Sequence, residues 1–128
     1  MEIQLSHIFS LLERTPEILK EALLELPEDL LHQNEGENSW SPFEIAGHLL
    51  HGEEADWVPR MEIILNFGVE KSFTPFDRTA MKTRFNTYTI NKILDEFAQK
   101  RNENLQFLRK TNVNESILKL KGMHPSLG

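Results

Sequence analysis

No cysteine occurs among the 128 residues, which excludes disulfides, a thiolate zinc site and a cysteine nucleophile. No apolar run approaches the roughly 20 residues that a membrane-spanning helix needs. The net charge is −6 and the basic residues are scattered, whereas nucleic-acid binding depends on a basic footprint that neutralises phosphates. Arg109-Lys110, Lys119 and Lys121 are too sparse to form one and read as cations favoured near helix C-termini. The same scarcity argues against an anionic membrane surface. A Gly-rich phosphate loop, a G-x-S-x-G elbow and an H-E-x-x-H motif are all absent. The acidic, amphipathic start Met1-Glu2-Ile3-Gln4 lacks the basic residues and apolar block of a signal peptide. A cytoplasmic location is the resulting expectation.

What is present is helical. The length suits one domain, and a hydrophobic content of 39% suffices for one core. Residues 3–13 are apolar enough for a short buried helix, and Thr15-Pro16 predicts a restart, because proline disfavours helical geometry in the residue before it. Ile18, Leu19, Ala22, Leu23 and Leu26 then follow amphipathic spacing. Pro27 to Leu31 reads as one further turn, and Asn34 to Asn38 as a polar loop. Ser41-Pro42-Phe43-Glu44 is a capping box that opens a helix running to about Asn66, kinked near Ala55 by Pro59. Residues 67–88 lack a clear period and predict a loop that packs its aromatics down, then a helical turn or two. Thr89 caps a helix with the stripe Ile90, Ile93, Leu94, Phe97, Leu105 and Leu108. Asn114 to Ile117 suggests a last turn, and no strand pattern competes. The class is all-α, an antiparallel helical bundle.

Chemistry gathers on the helix that begins at Pro42. His48, Gly52, Ala55 and Pro59 form a narrow strip, so the imidazole has small neighbours and room for another helix or a ligand. An inter-helix contact and a reactive role both remain open for it. His51 follows at three residues, whereas a helical chelate uses four, where Gly52 stands. His51 therefore reads as a partly exposed histidine at the helix edge. Glu53 and Glu54 are either general bases or plain solvated carboxylates. Arg101 falls within the later apolar stripe, and a buried cation needs a partner. Glu53, Glu54 or Asp56 would serve in a salt bridge, or the guanidinium faces an anion in a pocket.

Trp40-Ser41-Pro42, Ile45, Gly47-His48-Leu49, the acidic residues that follow and Trp57 resemble the second-helix signature of DinB-like proteins. Arg101-Asn102-Glu103-Asn104-Leu105 with Leu108 fits the same pattern. So do Gly122-Met123-His124-Pro125 with Gly128, Thr15-Pro16 and Leu26-Pro27, and the likeness covers nearly the whole chain. The resemblance implies a four-helix bundle, often dimeric, with a metal near one end held by three histidines. His48 matches the ligand from the second helix; the other two come from the last helix, four residues apart. Members are described as metal-dependent hydrolases, and some resemble thiol S-transferases that use bacillithiol or related thiols.

On that resemblance, residues 1–128 are one DinB-like helical domain, truncated before the last helix, with His48 as its metal ligand. The expected cofactor is a divalent transition metal, zinc, nickel or iron, and the expected partners are a small-molecule substrate and a second copy. His124 belongs to the lead-in and reads as structural. One imidazole is short of the three protein ligands of catalytic zinc-type sites. The alternative is a non-catalytic, dimeric helical module that binds a partner or an apolar ligand in the groove a missing helix leaves.

Overall fold

A computed structural model describes residues 4–77 and 83–127. The first helix, α1 (Leu5–Leu23), runs through Pro16, so the expected restart at Thr15-Pro16 does not occur. Proline has no N–H and leaves the carbonyl four residues back without its helical donor. That carbonyl belongs to Leu12, and Arg101 Nη1 donates to it at 3.0 Å. The donor comes from a helix 89 residues further along, which local pattern does not reveal. Thr15 Oγ1 also donates to the Leu11 carbonyl at 3.1 Å.

The single turn after Pro27 forms as α2 (Glu28–Leu31), which buries Leu31. α3 (Pro42–Ala55) opens on the predicted capping box: Glu44 N–H donates to Ser41 Oγ at 3.2 Å, and Ser41 N–H to Glu44 Oε1 at 3.3 Å. One kinked helix to Asn66 is replaced by a break at Asp56 and a separate α4 (Trp57–Phe67). Pro59 cannot donate to the Ala55 carbonyl, and the chain uses that gap to change direction. α5 (Ile90–Thr111) is capped by Thr89, whose Oγ1 accepts from Lys92 N–H at 3.2 Å, and ends at the left-handed Asn112. α6 (Glu115–Leu118) is capped by Asn114. The helical turns expected before Thr89 lie partly on residues 78–82, outside the described residues. Among the described residues the one extended pairing is the isolated bridge between Ser72 and Met123. No helix there is long and apolar enough to cross a membrane.

α5 is the central element, with α1 and α3 both packed on it. Ile90, Ile93, Leu94 and Phe97 meet Leu31, Ala46, Leu50 and Phe85 in the buried core, and Leu19 and Leu23 close it from α1. α1 runs antiparallel to α5, since Phe9 near its start lies 5.3 Å from the guanidinium of the late Arg109, while Leu19 and Leu23 near its end pack against the core around Ile90 and Ile93. α3 points the same way as α5: its late Glu53 reaches Arg101 and Asn104, while its early Gly47 meets Phe85, just ahead of α5. The long connection after α4 carries the chain back and allows this. Gly47 is required by close approach, because a Cβ there would stand 2.7 Å from Phe85 Cδ2.

One polar cluster ties the three long helices together. Glu53 is 3% exposed, so the reading of it as a solvated carboxylate is overturned. Its Oε1 accepts from Arg101 Nη2 at 2.6 Å and its Oε2 from Asn104 Nδ2 at 2.9 Å. Asn104 also donates to the Glu53 carbonyl at 2.8 Å, near the end of α3 where helical donors run out. Of the partners the sequence allowed for Arg101, Glu53 is the one it takes, and the same guanidinium completes α1 at Leu12.

Glu53→Ala strands a buried cation and should lose about 3–5 kcal/mol in urea unfolding. Adding Arg101→Met should return part of that loss. Parent-like stability of Glu53→Ala would contradict the role assigned to the cluster. Gly47→Ala should cost about 1–3 kcal/mol through overpacking against Phe85, and thermal unfolding would show relief on adding Phe85→Leu.

Candidate functional site

A cavity of about 760 Å³ opens between α1, α3, α4 and α5. Leu12, Leu49, Trp57, Met61, Leu105 and Leu108 give it apolar walls. The Glu53–Arg101–Asn104 cluster lies in its lining, together with His48, Asp56, Arg60 and His124. The capping box at Ser41 sets the phase of α3, and this turns His48, Leu49 and Gly52 toward the cavity. The volume lies within the range of small-molecule pockets, and a mostly apolar lining with a few polar groups matches their usual chemistry.

His48 is half-buried with aromatic rings against it, not in the open space that its small neighbours suggested. Its ring lies 4.7 Å from Trp40 and 5.2 Å from Phe76, the latter nearly edge-on at 87°. Phe76 reaches in from the loop after α4 and also meets His51, with centroids 4.8 Å apart and the rings tilted at 49°. It thus touches both histidines. His51 turns elsewhere: its Nδ1 is 3.3 Å from Arg84 Nη1. A guanidinium can only donate, so this contact makes Nδ1 an acceptor and puts the ring proton on Nε2. Arg84 also pairs with Glu54 at 2.5 Å, and that hydrogen bond is the main cause raising the already high pKa of its guanidinium.

The carboxylates considered as general bases are engaged. Glu53 is held by Arg101 and Asn104, and Glu54 by Arg84. Asp56 lies 2.5 Å from Arg60 Nε, close but poorly aligned, so the contact is an ion pair and not a hydrogen bond. His124, which the resemblance places in the lead-in, holds a turn together. Its Nδ1 accepts from the N–H groups of Ser126 at 3.2 Å and Leu127 at 3.1 Å, closing a turn. The partners of Asn104 and Phe76 were not read from the sequence, although Phe76 belongs to the loop expected to pack its aromatics down. Asn104 had a signal, since it lies one turn beyond Arg101 on the same helical face; Phe76 sits in a stretch without period, so nothing indicated which residues it would pack against.

These donors do not by themselves make a metal centre. Among the described residues no three His, Asp or Glu side chains converge as a metal site requires. The residues outside that set contain no histidine and one carboxylate, Glu2. The cavity wall carries two imidazoles, His48 and the turn-closing His124, with the neighbouring charges paired among themselves.

The sequence profile of the DinB superfamily matches residues 11–122. No curated protein matches the chain. Among solved structures it is similar to YfiT from Bacillus subtilis, described as a probable metal-dependent hydrolase with an unusual four-helix bundle topology. That likeness has a TM-score of 0.79 at 18% identity and covers 97% of this chain and 71% of YfiT. At such identity the structural match shows the fold, and the profile match, which spans most of the chain, shows the family: the protein belongs to the DinB superfamily.

Proposed function

We propose that the protein takes a small molecule into the cavity between α1, α3, α4 and α5, and that His48 is the residue its chemistry turns on. In this reading His48 is one ligand of a divalent transition metal, zinc, nickel or iron. The reaction class is hydrolysis or thiol S-transfer, and the working unit is a homodimer. The observation that carries the reading is the imidazole held between Trp40 and Phe76 at the wall of the cavity. Family membership and the description of YfiT support the metal.

The chain's own residues supply binding and order. Leu12, Leu49, Trp57, Met61 and Leu105 exclude water and take up the apolar part of a substrate. Trp40 and Phe76 restrict the His48 ring, so an atom bound to it is met in one orientation. No three described His, Asp or Glu side chains converge, so in this reading the remaining ligands come from outside the described residues. That shortage also favours a second reading, a helical module that binds an apolar ligand or partner without a metal.

Elemental analysis alongside intact mass separates the two. After incubation with zinc, nickel or iron and desalting, the parent should retain near-stoichiometric metal. His48→Ala should retain almost none while keeping the parent's circular dichroism. Equal metal in both removes His48 from the site, and a metal-free parent of intact mass leaves the binding module as the better reading.

A further inference from the structure

Among the described residues, the outward face of α1 carries a largely apolar line, interrupted by Thr15, that no other element buries. Ile8, Leu11, Thr15, Ile18 and Ala22 recur at steps of three and four residues, which aligns them along one side of the helix. Leu11 and Ile18 are 67% and 63% exposed, and no residue of α1 is buried. Single exposed apolar residues need no explanation, whereas a line at this spacing has the form of a helix-pair seam. The line also adjoins the cavity: Ile8 lies one turn before Leu12, which forms part of the cavity wall. On its other flank stand Arg14 and Glu21, both exposed, seven residues apart, and neither in an ion pair among the described residues.

We propose that this line is the contact surface between two copies of the chain, with α1 pairing antiparallel to the partner's α1 in a register centred between Pro16 and Glu17. The proposal rests on the homodimer reading above and names the surface for it. In this register Leu11 faces the partner's Ala22, Thr15 the partner's Ile18, and Leu12 the partner's Leu19. Arg14 then meets the partner's Glu21, and two-fold symmetry repeats the pair. A parallel pairing would set Arg14 beside the partner's Leu19 and leave both charges unmatched, so the flanking charges select the antiparallel form. A helix about 28 Å long and about 10 Å wide covers less than the roughly 800 Å² each partner gives to a stable interface. The contact therefore extends past α1 to the cavity, where Trp57 is exposed.

Sedimentation velocity over a concentration series, on the full chain, tests this. The parent should dimerise, and Leu11→Glu with Ile18→Glu should give a monomer whose circular dichroism is unchanged, since both positions are exposed. Arg14→Glu and Glu21→Arg should each weaken the dimer roughly tenfold, and the two together should restore it, because the swapped charges still face each other. A parent that is monomeric at every concentration overturns both this surface and the homodimer reading. A dimer indifferent to the Leu11 and Ile18 changes, or charge reversals that the swap does not rescue, overturns this surface and leaves the homodimer reading standing.

Discussion

The buried guanidinium of Arg101 is the constraint on which the rest of the arrangement depends. It serves two groups that helix formation leaves short of partners: the Leu12 carbonyl, which Pro16 deprives of a donor, and the Glu53 carboxylate, which α3 carries into the interior. Either group alone would be costly to bury. Together they give a cation a reason to sit within an apolar stripe, and they set α1 and α3 in place on α5. Asn104 completes the set by satisfying the second oxygen of Glu53 and its backbone carbonyl. An apolar core of Leu50, Ile93 and Phe97 drives the helices together without direction, whereas this cluster specifies how they meet.

That arrangement explains why there is a cavity and what lines it. α1 and α3 both pack on α5, so a space lies between them with α5 as its floor. The break at Asp56 turns α4 aside and brings Trp57 and Met61 to the edge of that space. The bridge between Ser72 and Met123 holds the loop after α4 near the C-terminal turn, and Phe76 from that loop comes to lie on His48. The nearby acids and arginines pair among themselves, Glu53 with Arg101 and Asp56 with Arg60, and the rest of the lining is mostly apolar, with His48 and His124 on its wall.

Local signals were easy to read where local physics decides. The capping box at Ser41, the cap at Thr89, the turn after Pro27 and the stripe of α5 all stand as the sequence suggested, because each depends on residues a few positions apart. Pro59 announced its break for the same reason. Pro16 misled, since the donor that repairs the helix there lies on α5. Glu53 misled too: beside Glu54 and Asp56 it looks like one more solvated carboxylate, and only the position of α5 shows that it is buried. The family was legible from motif order, whereas the small neighbours of His48 suggested open space; the rings that lie against it come from a loop and from the residue before a cap, which helix spacing does not show.

The central claim is that the chemistry of this protein lies at His48. Two-dimensional NMR of the five histidine rings during titration with a paramagnetic divalent ion such as nickel tests it most directly. The account predicts that the His48 ring signals broaden first, at substoichiometric metal, with those of Trp40 and Phe76 following. Broadening that begins at the exposed His7 or His32, with His48 unchanged, would contradict it.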